Sequence, residues 1–391
     1  MTTRHAVVSG ASIAGLSAAF WLRRSGWEVT VLERAKQFRD GGQNVDVRGT
    51  AREVLARMGL FEAVKAQNTT ETGTVFVGPS GQVLAELPSA GPDGPTAELE
   101  VLRGDLATTI LRNLPAGVEV RYGDTISDVE DGVDAVTVTT AAGRTLHAEL
   151  LVVAEGVRSS TRDLLFGDLV DRRDLGIAMV FGTIPRTATD DTRWRWYTTT
   201  GGRQIHLRPD NHGTTRAMLA CTGNVAGHDR AEALSRSRDR FADAGWEARR
   251  VLDGFDGSED VYVDQLTQIR MPAWHRGRVC LAGDAAWCVT PMGGGGASLA
   301  LISGYVLAAG VSGSGDGLAG YEEWMRPLVD DVQNFPGWLV PVAYPQTRLG
   351  LRLRRLADQV VTSRLLAPLT AKLTWVAASE RALPSMPVVQ A

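Results

Sequence analysis

The hydrophobic pattern at the start of the chain predicts a strand, a tight turn, a helix and a second strand. Small and β-branched apolar residues run up to Gly10, and Ile13, Leu16 and Phe20 then recur at helical spacing. A second apolar run, EVTVLE at 28–33, follows directly. This succession within about 30 residues is the context that a dinucleotide-binding turn requires.

Two later segments repeat the order of a buried strand, a turn and a helix. Residues 149–167, ELLVVAEGVRSSTRDLLFG, place Arg158 and Arg162 at helical spacing after the apolar run. Residues 277–310 contain a strand, a Gly-Asp pair, a proline and glycine loop, and a helix of small residues. The three segments together predict an α/β domain.

The middle of the chain alternates apolar and polar residues between Gly, Asn and Asp turns, which predicts antiparallel strands. In RQIHLR, His206 shares one strand face with two other polar residues, and two apolar residues share the other face. In RWRWY, Trp194 and Trp196 point the same way. The pattern does not tell which face lines a pocket, so packing under a helix stays open for the tryptophans, and an exposed strand face for His206.

The chain returns to a helical pattern after Tyr321. The segment PGWLVPVAYPQ is broken by prolines, and an amphipathic stretch with a basic face follows at 348–373. We expect these residues to bridge or cap the domains. Contact with a membrane surface is the alternative.

Composition and charge limit the classes of function. A chain of 391 residues with 44% hydrophobic and 22% charged residues has room for two globular domains. The net charge of -4 and the scattered basic residues give no electrostatic footprint for nucleic acid. We therefore expect a small-molecule ligand and no nucleic-acid partner.

The cysteines, the histidines and the start of the chain indicate a cytoplasmic protein without a metal. Cys221, Cys280 and Cys288 have neither metal-ligand spacing nor the even count of a disulfide framework. The six histidines are dispersed. No apolar run approaches the roughly 20 residues needed to span a bilayer, and no signal peptide is apparent.

The first turn carries most of a dinucleotide fingerprint. Gly10, Ser12 and Gly15 stand where G-x-G-x-x-G has its glycines, so the middle glycine has become a serine whose hydroxyl could itself donate to a phosphate. Glu33 ends the second strand, where a carboxylate accepts hydrogen bonds from both hydroxyls of an adenosine ribose. This favours a cofactor with a free 2'-hydroxyl, such as FAD or NAD.

The third segment, GDAAWCVTPMGGGG at 283–296, brings glycine backbone to a ligand. Consecutive glycines leave backbone N–H groups bare, and the N-terminus of the helix behind them adds partial positive charge. Such a loop suits an anionic or strongly polar group.

In this order and spacing, the three segments resemble the class A flavin-dependent monooxygenases, which have the fold of para-hydroxybenzoate hydroxylase and include tetracycline-inactivating and aromatic polyketide monooxygenases. The resemblance covers Gly10 to about Gly310 and implies an α/β fold: a Rossmann-like FAD-binding domain, an inserted antiparallel β-sheet substrate domain and C-terminal helices. It divides the chain into an FAD-binding domain at 1–72, 98–170 and 265–325, a substrate domain at 73–97 and 171–264, and a C-terminal helical segment at 326–391.

The resemblance also implies roles for individual residues. The flavin-ring loop would be formed by Pro291, Gly294, Gly295 and Gly296. FAD would be bound by Gly10, Ser12, Gly15, Glu33, Arg34, Asp46, Arg103, Glu155 and Asp284. Substrate would meet Trp196, His206 and Trp287.

Three positions depart from the family pattern. Ser12 replaces a glycine. Glu155 stands where aspartate is usual, one methylene longer, which puts its contact with the cofactor or with NADPH in question. Trp287 stands where many members have histidine, and we expect it to change the wall beside the flavin.

The implied activity is FAD-dependent monooxygenation. NADPH or NADH would reduce FAD, O2 would then give a flavin C4a-hydroperoxide, and one oxygen atom would enter an electron-rich aromatic or polycyclic molecule. Hydroxylation, Baeyer-Villiger insertion and epoxidation share this chemistry, and monomer and homodimer are equally open.

Three alternatives remain. One is a flavin oxidoreductase that inserts no oxygen, and another is a non-catalytic flavin or small-molecule binding protein. A flavin halogenase is disfavoured, because Thr198 and Thr199 stand where the W-x-W-x-I-P signature requires Ile and Pro.

Overall fold

The computed structural model describes residues 4–88, 99–227, 229–313, 317–334, 336–362 and 381–386. The strands are β1 His5–Ser9, β2 Glu28–Glu33, β3 Asn44–Asp46, β4 Gly73–Val77, β5 Val83–Pro88, β6 Glu100–Leu102, β7 Val118–Tyr122, β8 Ile126–Asp131, β9 Val136–Thr140, β10 Thr145–Ala148, β11 Leu150–Val153, β12 Asp171–Pro185, β13 Trp194–Thr199, β14 Arg203–Pro209, β15 Thr214–Thr222, β16 Tyr262–Arg270, β17 His275–Arg276 and β18 Val279–Leu281.

The α-helices vary from single turns to rods of 17 residues. They are α1 Ile13–Arg24, α2 Thr50–Met58, α3 Phe61–Lys65, α4 Arg103–Arg112, α5 Ser160–Phe166, α6 Arg230–Phe241, α7 Ala248–Asp256, α8 Asp284–Trp287, α9 Thr290–Gly293, α10 Gly296–Ser312, α11 Gly317–Gln333, α12 Leu339–Ala343 and α13 Arg348–Val361.

A six-stranded sheet forms the first domain, in the order β17-β18-β11-β1-β2-β7. The strands from β18 to β7 pair in parallel, and β17 pairs with β18 antiparallel. The central strands are continuous apolar runs and are buried along nearly their whole length. Helix α1 packs on the sheet, and apolar residues of β8, β9 and β10 belong to the same core. All three predicted strand-turn-helix segments lie in this sheet, so their turns meet at its carboxyl edge.

Helices α1 and α10 pack closely at the centre of this domain. A Cβ on Gly304 would lie 2.4 Å from the backbone nitrogen of Ala18. Ser17 donates a hydrogen bond of 2.7 Å from its hydroxyl to the carbonyl of Leu301. This close approach fixes α10, and therefore the glycine loop before it, against the helix that follows the first turn.

A seven-stranded sheet forms the second domain, in the order β16-β12-β15-β14-β13-β4-β5. Its pairs are antiparallel except for β13 and β4, which run in parallel. Strand β16 stays paired with β12 as far as Arg270, beyond the boundary at 264/265 that the sequence predicted. A three-stranded sheet, β10-β9-β8, and a β3–β6 ribbon complete the strands described. The fold class expected from the sequence is confirmed.

The two domains have separate hydrophobic cores. One core surrounds the parallel sheet, and the other lies between the seven-stranded sheet and helices α6 and α7. A small third cluster joins them, where Met292 of α9 packs near Met179 and Phe181 of β12 and near Ala343 of α12. The cleft between the domains is bordered by this cluster.

The predicted C-terminal helical segment starts inside a helix, because α11 runs without a break across 325/326. Helix α13 covers part of the amphipathic stretch at 348–373, and residues 363–380 and 387–391 lie outside the described residues. Its outer side exposes Leu349, Leu353 and Leu356. In the part of the chain that the structure describes, no helix is both long and apolar enough to cross a membrane.

Candidate cofactor and substrate site

The first turn is shaped by glycines that allow close backbone approach. Gly10 has φ +107°, and a Cβ there would lie 2.3 Å from the carbonyl oxygen of Ala154. A Cβ on Gly15 would lie 1.9 Å from the carbonyl oxygen of Gly10. The Ser12 side chain makes no capping hydrogen bond to α1, and its hydroxyl lies 3.5 Å from an Arg103 guanidinium nitrogen.

Glu33 lies beside this turn at the end of β2. One carboxylate oxygen accepts a 2.9 Å hydrogen bond from the Ala11 backbone N–H, and the other accepts one of 2.8 Å from that of Ala35. Arg34 is exposed next to it. The turn and the carboxylate are therefore held together, as a site for a ribose and a pyrophosphate requires.

Asp46 and Arg103 line the adjoining wall. One Asp46 carboxylate oxygen pairs with Arg48 at 2.9 Å, whereas the other is buried without a hydrogen-bond partner among the described residues. The Asp46 carbonyl accepts a hydrogen bond from Ser298 of α10. Arg103 begins α4, is exposed, and donates to the carbonyl of Gly41 at 3.0 Å.

Asp284 is the first residue of α8, directly after β18 and Gly283. The residue is exposed to solvent. Desolvation by the surrounding protein raises the pKa of Asp284, and the nearby Asp264 carboxylate raises it further. The Arg103 guanidinium and a hydrogen bond with the Cys288 thiol lower it. Two acids, Asp264 and Asp284, and one cation, Arg103, therefore lie close together in this site.

The glycine loop lies beside Asp284. Pro291 is exposed in α9, and Gly294 and Gly295 both have φ +69°. Gly296 then begins α10, so the loop leads into the N-terminus of a helix of 17 residues. Thr290, also left-handed at φ +62°, has a buried hydroxyl without a described partner. These left-handed conformations explain why Gly294 and Gly295 are glycines.

Glu155 is engaged by the protein on both carboxylate oxygens. One accepts hydrogen bonds from the hydroxyls of Ser9 at 2.5 Å and Thr161 at 2.7 Å. The other accepts from the Ser159 hydroxyl at 2.7 Å and the Thr161 backbone N–H at 3.1 Å. The extra methylene relative to aspartate therefore ties β1 to the start of α5, and its contact with cofactor or NADPH stays a prediction.

Trp287 is not part of the open cleft wall, contrary to our expectation. Its side chain is 2% exposed and packs on Trp274, with ring centroids 4.6 Å apart, and near Tyr321. The helical turn of α8 directs the indole into the core of the parallel-sheet domain. The hydrophobic gain from burying this large ring outweighs exposure beside a polar site.

One face of the seven-stranded sheet carries a continuous row of aromatic and soft apolar side chains. The residues are cross-strand neighbours, and we call them the aromatic row: Phe76, Trp196, His206, Met218, Phe181 and Tyr262. The opposite face packs on α6 and α7. Met292 of the glycine loop packs on the cluster that contains Phe181 and Met218. The aromatic row therefore lies on the face of the sheet that meets the glycine loop, which the sequence could not decide.

His206 is buried and fully hydrogen-bonded. The Trp194 indole donates to its Nδ1 at 3.0 Å, so Nε2 carries the proton and donates to the Gln204 side chain at 3.1 Å. Burial holds the pKa of His206 well below its usual range, and the charges of Arg208 and Arg354 add to this. The imidazole is neutral and forms a fixed part of the wall, not the exposed strand face that the sequence left open.

Trp196 is half-buried within the same wall. Its ring stacks on Trp194 with centroids 5.2 Å apart and lies 4.6 Å from the ring of His206. Arg354 of α13 lies 5.6 Å from the Trp196 ring, so the C-terminal helix covers this end of the row. The tryptophans lie on the face of the sheet opposite to α6 and α7, and α13 packs over Trp196.

A buried cluster of one arginine and two acids lies next to this wall. Arg208 bridges Glu71 at 2.9 Å and Glu100 at 2.5 Å, and its guanidinium lies 4.1 Å from the ring of Trp194. Asn44 donates to Glu100 at 2.7 Å. Since Glu100 and Asn44 belong to the β3–β6 ribbon, the cluster joins that ribbon to the seven-stranded sheet.

Sequence reasoning missed Tyr262 and Asp264 on β16, and Phe181 on β12. Period-two alternation along β12 and β16 places them on one face, but only the pairing of these distant strands brings them to the cleft. Among the residues that the structure describes, no three His, Cys, Asp or Glu side chains are grouped to hold a metal ion.

The comparisons with known proteins agree with this geometry. The chain matches the FAD binding domain family over residues 3–330. An uncharacterized protein of Mycobacterium tuberculosis strain H37Rv is 34% identical over 348 residues, covering 85% of this chain and 92% of that protein. Flavin-dependent monooxygenase eupH of a Phoma species is 32% identical over 390 residues, covering 90% of each.

Solved structures share the whole architecture. The crystal structure of tetracycline destructase Tet(55) has a TM-score of 0.81 and 26% identity, and the match covers 98% of this chain and 99% of that one. A structure of Klebsiella pneumoniae HpxO complexed with FAD and uric acid has a TM-score of 0.79 at 21% identity, covering 95% and 97%, which supports the fold.

The chain therefore belongs to the FAD binding domain family, and it is a class A flavin-dependent monooxygenase. The site fits FAD on its own geometry. Side-chain atoms at Gly10 and Gly15 would collide with the turn, one Asp46 oxygen is buried without a described partner, and the Asp284 carboxyl stands open beside left-handed glycines.

Proposed function

We propose that this enzyme uses NADPH or NADH, FAD and O2 to insert one oxygen atom into an electron-rich aromatic or polycyclic molecule. One observation carries the proposal. The left-handed glycine loop and the aromatic row border the same cleft, and Met292 links them. A flat cofactor on the loop would thus face a flat substrate on the row.

Different residues would bind the cofactor and the substrate. Glu33 and the first turn would hold the adenosine end of FAD, with Arg34, Asp46 and Arg103 along its length, and Asp284 would bind hydroxyls of the chain next to the ring. When bound and reduced, FAD supplies an activated oxygen atom from O2. The glycine loop would direct backbone N–H groups at the edge of the ring that gains negative charge.

The length of the aromatic row favours a polycyclic substrate. Its six residues lie on six neighbouring strands and span about 24 Å at ~4.8 Å per strand. Arg354 of α13 covers the Trp196 end, and Tyr262 at the other end is 41% exposed. Stacking on Trp196 would orient the rings, and neutral His206 would exclude water without adding charge. The similarity to a tetracycline destructase supports the same substrate class.

The proposal keeps the division into an FAD-binding and a substrate domain. It also places the enzyme in the cytoplasm, as a monomer or homodimer. Three free, buried cysteines support a reducing compartment.

The test follows flavin absorption and oxygen uptake with NADPH and, separately, NADH. The candidate substrates are 2-naphthol, 1-hydroxyanthraquinone and tetracycline. We expect one of them to accelerate bleaching of the flavin bands and to give a product that gains one atom from isotopically labelled O2. Flavin reduction without label in any product would indicate an oxidoreductase that inserts no oxygen. Absence of NAD(P)H oxidation would indicate a binding protein.

A variant pair tests the substrate wall. Trp196→Leu removes the stacking surface, and we expect KM for the accepted aromatic to rise about threefold to tenfold. Trp338→Leu is the matched control, because Trp338 is 60% exposed on the surface. An equal effect of both changes, or none, would contradict the placement of substrate on the aromatic row.

A further inference from the structure

A carboxylate without a protein partner lies in the cleft. Asp264 is half-buried on β16, where it is the cross-strand neighbour of Met179. Its carboxylate makes no hydrogen bond or ion pair with any described residue. Most other half-buried acids of the substrate sheet and its loops are paired, as Asp191 is with Arg193 and Arg195.

The surroundings place this carboxylate at the cofactor site. Strand β16 packs on α8 and α9, the two short helices that precede Gly294 and Gly295. Asp264 interacts electrostatically with Asp284 and Cys288 from the segment after β18, and with Arg158 from the turn after β11. Both segments follow carboxyl ends of the parallel sheet, where ligands bind in such folds.

We propose that Asp264 is an electrostatic tuning residue of the flavin site, which disfavours reduction of bound flavin by placing a negative charge beside the ring. The inference rests on the proposed use of FAD. Reduced flavin gains negative charge, so a nearby carboxylate destabilises it relative to the oxidised form.

The charge of Asp264 is set by groups from several elements. Burial raises the pKa of Asp264, and the Arg158 guanidinium opposes the shift. Asp284 and Cys288 face it from α8 and its C-terminal end, Tyr262 lies on its own strand, and Arg103 acts on Asp284 and Tyr262. Protonation of Asp264 at lower pH would remove the negative charge and ease reduction.

The test is the midpoint potential of the FAD-loaded full-length enzyme, without substrate. Asp264→Asn should favour reduced over oxidised flavin about tenfold, which corresponds to about 30 mV for a two-electron couple. Asp264→Glu keeps the charge and should stay near the wild type. Asp128→Asn removes an equal charge at an exposed position on β8 and should have no effect.

The pH dependence of the wild-type potential provides a second measurement that needs no stable variant. It should fall more steeply with pH than that of Asp264→Asn, because reduction draws a proton onto Asp264. Equal potentials for wild type and Asp264→Asn at pH 8, or a shift shared by Asp128→Asn, would overturn the inference and leave the proposed function intact. A protein that binds no FAD would overturn both.

Discussion

Glu71 is a buried acid that shares one arginine with a second buried acid. Burial raises the pKa of Glu71 from its ordinary value of 4.5 to about 8, and Arg208 opposes this shift while Glu100 adds to it. The folded protein therefore keeps this proton between about pH 4.5 and 8, whereas the unfolded chain has lost it. The contribution of Glu71 to the free energy of unfolding must therefore fall as the pH rises from about 4.5 to about 8.

Glu71→Gln should remove this pH dependence. The amide is neutral at every pH, and Glu100 remains to pair with Arg208. We expect the variant to gain thermal stability relative to the wild type as pH rises from 5 to 8, with the difference largest at the alkaline end. Thermal unfolding across that range measures it. Glu62→Gln, an exposed acid on α3, is the control and should give a constant difference. A gap between Glu71→Gln and wild type that does not change with pH would refute the assignment.

His206 and Trp287 show what the sequence alone could not predict. Alternation predicted that His206 and its polar neighbours share a face, and they do. It could not tell that this face is buried, because the covering elements, α12 and the glycine loop, are far away in sequence. Trp287 was misplaced for a related reason: its motif position was known, but the rotation of a four-residue helix was not.

At the scale of elements, the glycine loop was predictable because its requirements are local. A run of glycines after a strand and before a helix already implies positive φ angles and bare N–H groups. The left-handed angles of Gly294 and Gly295 agree with this. The sequence predicted that the seven-stranded sheet contains antiparallel strands, but it did not predict their order. Strand β4 pairs with β13, which lies more than a hundred residues away in sequence.

Two neighbouring glycines separate backbone conformation from side-chain bulk. Gly295 has φ +69°, and no atom lies within 4 Å of a Cβ placed there, whereas a Cβ on helical Gly296 would meet Val289 at an ordinary 3.5 Å. Gly295→Ala should therefore strain the loop and weaken FAD binding about tenfold, because a left-handed non-glycine residue costs roughly 1–2 kcal/mol. Gly296→Ala should change the FAD Kd less than about twofold. Flavin fluorescence titration measures the FAD Kd of both variants. An equal loss of affinity in both would show that side-chain bulk, and not backbone conformation, limits FAD binding at this loop.

At the scale of the whole molecule, the two domains have separate cores, which several polar contacts and one small apolar cluster connect. The Glu100–Arg208 pair and the hydrogen bond from Asn44 to the Pro209 carbonyl join the β3–β6 ribbon to the substrate sheet. Further links are the contact of His212 with Asp105 of α4 at 3.0 Å, the hydrogen bonds of Gln333 on α11 with strand β16, and the small apolar cluster around Met292. A cofactor in the cleft would add contacts along the rest of this boundary, so the stability of the molecule as a unit should depend on FAD.

Calorimetry of the apoprotein should therefore resolve two unfolding transitions that FAD merges into one. Binding at a hundredfold excess over Kd adds about 2.7 kcal/mol to whichever unit holds the ligand. ADP would contact only the first turn and Glu33, so it should raise the transition of the parallel-sheet domain alone. FAD also reaches the glycine loop, where Met292 contacts the substrate sheet, so it should raise both transitions and bring them together. A single unfolding transition of the apoprotein, raised equally by ADP and FAD, would contradict this prediction. It would mean that the two domains already unfold together without the flavin, and that FAD does not couple them.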